Sequence, residues 1–454
     1  MKIVTAGAGE VGYHIVENLS GENLEFTVVD DNQVVLDKLA DEFGVQTIHG
    51  NIIDKNVLNQ IDLKHTDLFV AVTNSDQTNM IACKMASEQG VKKTICRVRQ
   101  IDLTSQKKKI SLKSLGIDLI INPVLVVAEE INRLIFAPNS VARHDFFGDK
   151  VNLIGFKINP PCSFIGKTIR EVEPDLQKIQ AQIAILQRKE LTTVPSKETC
   201  FEEGDILYFF CPSEHFSKLR KILHYSTKKV KKVFISGGGQ IGFLLAKILE
   251  NTDIEVKVIE SDLQQCHRLS DQLEKALVLN FDGTDTKKLQ SEGVINADFF
   301  IAVTNNDKVN LTSCLLVHQY AKLRSICLVK EKEYISILDA QTPISLGISP
   351  RVLTAGNISR LIHGENILSY FKIANSQTEV IEIELPDTFS AFGLPIHELE
   401  IPEDVLIGMI LRDGKIILPK GDFRLQRGDS LLVLLHRMDQ KQVHQYFLGR
   451  DNHY

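Results

Sequence analysis

The sequence predicts an α/β protein with two tandem Rossmann-like domains, each a doubly wound parallel sheet followed by a small α+β domain. Three observations lead to this prediction: the chain of 454 residues is an internal duplication, strand and helix patterns alternate in each half, and each half begins with a glycine-rich loop. The length agrees, since it corresponds to two to four domains at roughly 100–200 residues per domain.

The internal repeat is the strongest of these observations. The motif GAGEVG at 7–12 recurs as GGGQIG at 237–242, and AVTNSD at 71–76 recurs as AVTNND at 302–307. The offset between equivalent positions stays between 231 and 224 residues along the chain. A repeat of this length indicates duplicated domains, because solenoid units span only about 20–50 residues.

Each half divides into two parts with different patterns. The first part alternates runs such as KIVTAG, FTVVD and LFVAVT with helical stretches, which is typical of βαβ units and a parallel sheet covered on both faces. The second part has short strand-like runs such as NLIGFKI and AQIAILQ, interrupted by prolines, and indicates a small domain of antiparallel character.

A helical connector is predicted over Asn122–Arg143. We therefore expect a first Rossmann-like domain at 1–122, a connector with a small domain at 123–225, a second Rossmann-like domain at 231–350, and a connector with a small domain at 351–454, the halves being joined by the lysine-rich Ser226–Lys232.

Composition excludes several classes of protein. With 43% hydrophobic and 24% charged residues and a net charge of −6, the chain is globular and lacks the basic excess of a nucleic-acid binder. Its apolar stretches are far shorter than the ~20 residues of a membrane-spanning helix. The N-terminus has no signal-peptide pattern, so we expect a cytoplasmic protein. The eight cysteines form no CxxC pair and are expected to be reduced core residues, and no metal site is predicted.

The glycine-rich loop of the first half matches a dinucleotide-binding fingerprint. It separates the first strand from a helix, and Asp30 ends the second strand 23 residues after Gly7, close to the ~20 that the fingerprint requires. Gly7 permits the tight turn, Gly9 lets the backbone approach a pyrophosphate, and Gly12 lets the helix pack on the sheet. The Asp30 carboxylate can accept ribose hydroxyls and would repel a 2′-phosphate, so NAD or a simpler adenine nucleotide is favoured over NADP.

Polar residues follow the fourth strand, at the rim where ligands bind in open α/β sheets. Thr73 and Asn74 could contact a nucleotide there. Alternatively, Ser75 and Asp76 could simply cap the next helix, with Thr73 as part of the turn, and the two interpretations are compatible. Arg97 and Arg99 are two residues apart on the predicted fifth strand and should project from one face. They could clamp a phosphate or form a surface salt bridge.

The second half differs at this fifth strand. Leu328 and Lys330 occupy the positions of Arg97 and Arg99. One of the two cations is kept and the guanidinium groups are lost, and lysine is only a point charge on a flexible stem. We therefore predict that the two sites are unequal and that the first binds a pyrophosphate ligand more tightly.

These motifs resemble those of the TrkA-type regulatory subunits of bacterial potassium uptake systems, which consist of tandem RCK (or KTN) domains. The resemblance extends through the small domains, by FIGKTIREV at 164–172, EEGD at 202–205 and QRGD at 426–429, and covers essentially the whole chain. It implies a cytoplasmic ring of two-domain repeats docked beneath a potassium-translocating membrane subunit. It also implies that NAD(H), and in some members ATP or ADP, binds at the glycine loops.

The resemblance further implies which residues contact the nucleotide. In the first half they are Gly7, Ala8, Gly9, Glu10, Val11, Gly12, Asp30, Thr73, Asn74 and Arg97. In the second half they are Gly237, Gly238, Gly239, Gln240, Ile241, Gly242, Glu260, Thr304 and Asn305. Leu328 departs from the family's pattern at the position of Arg97.

The competing prediction is an NAD-dependent dehydrogenase with a duplicated cofactor domain. Such an enzyme needs a substrate domain and a proton-relay residue beside the nicotinamide. The histidines form no repeated constellation, since His14 corresponds to Leu244 and His49 to Leu279, and no HExxH, GxSxG or P-loop motif occurs. We therefore expect a regulator without enzymatic activity. A third possibility, a redox-sensing transcriptional regulator, has no helix-turn-helix pattern or basic face to support it.

Overall fold

The computed structural model describes most of the chain, in two compact units. The described residues are 1–19, 24–99, 112–137, 140–189, 191–225, 229–331, 334, 346–362, 367–373, 376–399, 401–402, 404–436 and 446–447. One unit comprises Met1–Ile135 with Val230–Ile362, and the other comprises Phe136–Lys229 with His363–Tyr454. The first unit contains both Rossmann-like sheets and the second contains both small domains. Ser226 to Lys228 of the predicted linker lie outside the described residues.

The first half begins with alternating strands and helices and ends with mainly antiparallel strands. Its elements are β1 (Lys2–Ala6), α1 (Glu10–Leu19), β2 (Glu25–Asp30), α2 (Gln33–Phe43), β3 (Gln46–His49), α3 (Lys55–Leu58), β4 (Leu68–Ala71), α4 (Asp76–Glu88), β5 (Lys93–Arg97), β6 (Leu119–Ile121), α5 (Pro123–Phe136), β7 (Ser140–Phe146), β8 (Val151–Lys157), α6 (Ile169–Gln177), β9 (Gln182–Arg188), β10 (Leu191–Thr193), β11 (Ile206–Pro212) and α7 (Phe216–Ile222).

The second half repeats this order of elements through its connector helix and repeats the five strands of the small domain, while its described elements include no counterpart of α6 or α7. Its elements are β12 (Lys232–Ser236), α8 (Gln240–Leu249), β13 (Glu255–Glu260), α9 (Leu263–Gln272), β14 (Leu277–Asn280), α10 (Thr286–Ser291), β15 (Phe299–Ala302), α11 (Asp307–Ala321), β16 (Arg324–Leu328), β17 (Leu346–Ile348), α12 (Pro350–Ile362), β18 (Ile367–Lys372), β19 (Thr378–Glu384), β20 (Val405–Arg412), β21 (Lys415–Ile417) and β22 (Ser430–His436).

Both halves begin with the predicted doubly wound parallel sheet. The strand orders are β3-β2-β1-β4-β5-β6 and β14-β13-β12-β15-β16-β17, and every pairing in both sheets is parallel. Apolar clusters cover both faces of each sheet, so the central strands β4 and β15 are buried at every residue. The strand order reverses between β1 and β4 and between β12 and β15, and such switch points are where ligands bind in open α/β sheets.

The connector helices are exchanged between the two Rossmann-like domains. Side chains of α5, including Ile131 and Ile135, belong to the core of the second domain, where they join Leu245 of α8. Conversely, Ala355 and Ile358 of α12 are fully buried in the core of the first domain, where α12 packs against α1. Each domain therefore completes its core with a helix from the other half.

The small domains are two antiparallel sheets of identical topology, as the sequence predicts. Their strand orders are β10-β9-β11-β8-β7 and, in the same unit, β18-β19-β22-β20-β21. Each contains a two-point ion pair: Arg188 donates to both carboxylate oxygens of Asp205 at 2.8 Å, and Arg412 to those of Asp429 at 2.7 Å. The two aspartates are 1% and 0% exposed, and the hydrogen bonds that they accept, together with their charges, raise the pKa of Arg188 and of Arg412.

The structure corrects the predicted connector and adds short strands. The helix predicted over Asn122–Arg143 ends at Phe136, and Ser140–Phe146 forms strand β7 instead. This edge strand has three consecutive polar residues, Arg143, His144 and Asp145, so it lacks the alternation of apolar and polar residues by which a strand is recognised. The three-residue strands β6, β10, β17 and β21 are too short to produce a recognisable period. All eight cysteines are free; seven are buried as expected, and Cys200 is exposed.

Candidate functional site

The first glycine loop has the geometry that the fingerprint requires. The Gly7 N–H donates to the Val29 carbonyl at 2.8 Å, its φ is +106°, and a Cβ there would lie 2.8 Å from the Thr73 backbone nitrogen. A Cβ on Gly12 would lie only 1.9 Å from the Gly7 carbonyl oxygen, so α1 packs this closely only with glycine. By contrast, a Cβ on Gly9 would meet nothing within 4 Å. The open side of the loop therefore lies at Gly9.

The acidic residue after the second strand fastens this loop to the sheet. Asp30 Oδ2 accepts the Ala8 N–H at 2.6 Å, and its Oδ1 accepts the Asn32 N–H at 2.9 Å. Each carboxylate oxygen has a further lone pair with which it can accept a ribose hydroxyl. Asp30 thus has a structural role that the sequence analysis missed, and its carboxylate still faces the ligand edge of the sheet.

A buried asparagine, also missed by the sequence analysis, joins the ends of β4 and β5. Asn79 of α4 is 0% exposed. Its Oδ1 accepts the Thr73 N–H at 2.9 Å and the Thr73 hydroxyl at 2.6 Å, and its Nδ2 donates to the carbonyls of Thr73 and Arg97 at 3.2 and 3.0 Å. The sequence did contain a signal, since an asparagine recurs at this position in both halves, on the buried face of a helix where an apolar residue is the usual choice.

The predicted turn residues at the rim have mixed roles. Ser75 caps α4, because its side chain accepts the Thr78 N–H at 3.2 Å. Asp76 instead accepts the Arg99 N–H at 3.0 Å. The Thr73 hydroxyl is used by the buried asparagine, whereas Asn74 is exposed and its side-chain oxygen accepts from Arg99 at 2.7 Å.

The two arginines of the first half are placed differently from the prediction. Strand β5 ends at Arg97, so Arg99 lies beyond the strand and not on it. Arg97 donates from Nη1 to the Val72 carbonyl at 3.3 Å, and its buried Nε has no partner. Burial, and next the charge of Arg99, lower the pKa of Arg97 to about 10, so it is still charged at neutral pH.

Arg97 is therefore a largely desolvated cation at the ligand edge of the sheet. Within the described ranges, no carboxylate lies at ion-pair distance from it. The charges of Asp76 and Glu10 act on it only from beyond that distance and offset part of the lowering of its pKa, and a buried charge without a close counter-charge is costly. An anionic ligand would supply that counter-charge, so the residues present fit a nucleotide phosphate.

The second site repeats the backbone scaffold of the first. Gly237 has a φ of +111°, and a Cβ on Gly242 would lie 1.9 Å from the Gly237 carbonyl oxygen. Glu260 accepts the Gly238 N–H at 2.9 Å, as Asp30 accepts from Ala8. A Cβ on Gly239 would meet nothing within 4 Å, so this loop has the same open side.

The fully buried Asn310 is the counterpart of Asn79. It accepts the Thr304 N–H and hydroxyl at 2.9 and 2.6 Å and donates to the Thr304 and Leu328 carbonyls at 3.0 Å. The hydrogen bonds that join the fourth strand to the fifth are therefore the same in both halves.

The side chains around the second site differ. Leu328 is 2% exposed and leaves the position of Arg97 without charge. Lys330 donates to the Asn305 side chain, as Arg99 does to Asn74. Gln265 donates to the Gly238 carbonyl at 2.8 Å, a bond that its counterpart Val35 cannot form.

The structure also changes one equivalence between the halves. His49 pairs with Asp30 across β2 and β3, and Asn280 pairs with Glu260 across β13 and β14. His49 therefore corresponds to Asn280 and not to Leu279.

Family models confirm the resemblance. The TrkA-N domain model matches residues 3–123 and 233–350, and the TrkA-C domain model matches residues 153–224 and 380–448. The chain belongs to the TrkA family.

Full-length relatives agree with this assignment. The chain is 29% identical over 456 residues to Trk system potassium uptake protein TrkA homolog 1 of Methanosarcina mazei, covering 98% of this chain and 100% of the relative. It is 29% identical over 448 residues to Trk system potassium uptake protein TrkA of Haemophilus influenzae, covering 98% and 97%.

Solved structures share the fold of this TrkA-family chain. The GsuK RCK domain matches with a TM-score of 0.61 and 18% identity, covering 99% of this chain and 95% of that one. The GsuK channel bound to NAD matches with a TM-score of 0.62 and 20% identity, covering 98% and 78%. At these identities the likeness shows the fold alone.

The described part of this TrkA-family chain contains neither a candidate membrane span nor a candidate metal cluster. No helix there is both long and apolar enough to cross a membrane. No group of three or more histidine, cysteine, aspartate or glutamate residues there is placed to hold a metal ion.

Proposed function

We propose that this protein is a nucleotide-binding regulatory subunit of a potassium uptake system, without enzymatic activity. One observation supports this most directly: a complete loop, carboxylate and buried-asparagine scaffold occurs twice in a chain that aligns with TrkA proteins over 98% of its length. The names of those relatives point to potassium uptake, and the duplicated ligand edge points to control by a nucleotide.

The nucleotide we propose is NAD(H), with ATP or ADP as further ligands. Asp30 and Glu260 place a carboxylate where the ribose of an adenosine is bound in Rossmann folds, and such a carboxylate disfavours the 2′-phosphate of NADP. The N-termini of α1 and α8 supply N–H groups without intrahelical partners for a pyrophosphate. Arg97 adds a cation at the first site.

The proposed partner is a membrane-embedded, potassium-translocating subunit of the Trk type. The TrkA-family chain would dock on its cytoplasmic side as a ring-shaped homo-oligomer, bound peripherally at the inner face of the cell membrane. Nucleotide binding would then alter the conformation of the ring and, through it, the rate of potassium transport. No nucleic acid takes part.

Calorimetric titration of NAD⁺, NADH, NADP⁺, ATP and ADP into the full chain tests the nucleotide part. Gly9→Asp and Gly239→Asp each place a carboxylate on the open side of one loop, and each should abolish binding at its own site. Asn59→Asp, which adds the same charge at an exposed position, is the matched control and should bind as wild type. We expect Gly9→Asp to remove the tightest event and NADP⁺ to bind about tenfold more weakly than NAD⁺.

Transport assays test the remaining part. Rubidium or potassium uptake should be lost in cells lacking the protein, restored by the wild-type chain, and not restored by the Gly9→Asp/Gly239→Asp double variant. Membrane association should disappear when the cognate translocator is deleted. The proposal is wrong if association persists without any candidate translocator, or if the purified chain turns over NAD⁺ with alcohols or hydroxy acids.

A further inference from the structure

An arginine of the second half lies against the glycine loop of the first. Arg351 is the second residue of α12, the helix that packs on α1. Its side chain is 15% exposed, and its Nη2 forms an ion pair with Glu10 and lies 3.7 Å from Glu331 Oε1. Its buried Nε has no partner. A largely buried guanidinium is thus held at the loop by a carboxylate of the loop itself.

Glu10 is an unfavourable residue for a phosphate site unless its charge is neutralised. It is the first residue of α1, and the phosphates of a nucleotide bind at this helix N-terminus in Rossmann folds. A free carboxylate there profits from the helix dipole but repels an incoming phosphate. The ion pair with Arg351 removes that repulsion and also adds donors beside the loop.

The second site has neither charge. Gln240 stands at the position of Glu10, and Val124 stands at the position of Arg351, immediately after the proline that begins the connector helix. Val124 is 8% exposed and contributes only packing. Each of the two sites therefore has either both members of the charge pair or neither, as expected if the arginine serves to neutralise the glutamate.

We propose that Arg351 is a positioning residue of the first nucleotide site, contributed by the other half of the chain. It neutralises Glu10 and holds it away from the phosphates, so that the first site is complete only when α12 is docked on α1. This inference rests on the nucleotide-binding function proposed above, and it adds Glu10 and Arg351 to Arg97 as groups that set the charge around the phosphate in that site.

The test is a set of four chains titrated with NAD⁺ and ADP in a Gly239→Asp background, which leaves the first site as the one measured. Arg351→Gln should weaken binding about fivefold, because Glu10 is left unpaired and is partly screened by solvent. Glu10→Gln should strengthen binding, because a carboxylate beside the phosphates is removed while the guanidinium, 3.7 Å from Glu331, stays beside the loop. The double variant Glu10→Gln/Arg351→Gln should return to within about twofold of the Gly239→Asp parent.

The opposite signs separate charge neutralisation from a purely structural role. If Arg351 served only to dock α12, both single variants would lower affinity and thermal stability together, and the double variant would not recover. Glu331→Gln removes the other carboxylate near Arg351 and is the matched control, expected to leave affinity unchanged. Unchanged affinity in Arg351→Gln, or weaker binding in Glu10→Gln, overturns the inference. Absence of any binding by the wild-type chain would instead show that the proposed function itself is wrong.

Discussion

The two Rossmann-like domains share their buried hydrogen bonds and differ in the charges at their ligand edges. Asn79 and Asn310 make the same four bonds, and both glycine loops are fastened by a carboxylate. In contrast, the cation Arg97 is matched by the apolar Leu328. After a duplication, buried polar networks are costly to change one residue at a time, whereas side chains at an open edge diverge freely. We expect the shared hydrogen bonds to set the shape of the site and the differing charges to set its affinity for a nucleotide.

The largest expected effect concerns the buried asparagines that the two domains share. Asn79→Ala and Asn310→Ala should each lower the free energy of unfolding by about 3 kcal/mol, because buried backbone groups at the ends of two strands lose their partner. Urea unfolding of the full chain, followed by hydrogen exchange at the fourth and fifth strands of each domain, measures this. Asn59→Ala, at an exposed position, is the control, with an expected change below about 0.5 kcal/mol. An unchanged free energy of unfolding in either variant would contradict the equivalence of the two asparagines.

The small domains provide a second test of equivalence. Asp429→Asn should destabilise the protein by about 2–3 kcal/mol, since it leaves the partly buried Arg412 without its ion-pair partner. Asp205→Asn should cost about 2 kcal/mol, because Arg188 keeps an ion pair with Glu202. Both figures are below the range for fully buried pairs because the arginine side chains are 32% and 21% exposed. Asp175→Asn, which removes an exposed pair with Lys178, is the control and should change stability little. A larger loss in Asp205→Asn than in Asp429→Asn would contradict the comparison.

The difference in charge between the two sites is tested by giving the first site a residue of the second. Arg97→Leu copies the second half into the first and should weaken NAD⁺ binding there by about 2 kcal/mol, roughly thirtyfold, because a desolvated cation facing the phosphate is lost. Calorimetry in the Gly239→Asp background isolates this site. Arg99→Lys copies the neighbouring difference between the halves and is the control. Lys330 shows that a lysine at this position reaches the equivalent asparagine, Asn305. An unchanged affinity in Arg97→Leu would leave the ranking of the sites without a cause.

The smallest effect concerns the second loop. Gln265→Val reproduces Val35 and removes the bond to the Gly238 carbonyl. We expect a loss of about 0.5–1 kcal/mol in stability, the usual contribution of one part-exposed hydrogen bond. Faster hydrogen exchange confined to the second loop would be the specific sign. The reverse change, Val35→Gln, should slow exchange in the first loop.

Much of this arrangement is predictable from local patterns, and the remainder depends on contacts between distant residues. The glycines, Asp30 and the central strands were identifiable because their signals lie within about 25 residues of one another. The role of Asn79 was not, since its partners include the Arg97 carbonyl, which only the folded sheet brings close. The pairing of Glu10 with Arg351 joins residues 341 positions apart, and no local period reports such a contact.

The exchange of α5 and α12 determines the order in which the chain can fold during synthesis. The first domain leaves part of α1 uncovered until Ala355 and Ile358 have been made. At a synthesis rate of about 5–20 residues per second, these residues are made on the order of ten to forty seconds after α5 is complete. The nascent first half must therefore remain soluble while incomplete. For the same reason, a chain cut within the linker around Ser226 would yield two fragments that each lack a core helix and that complement one another only when they are produced together.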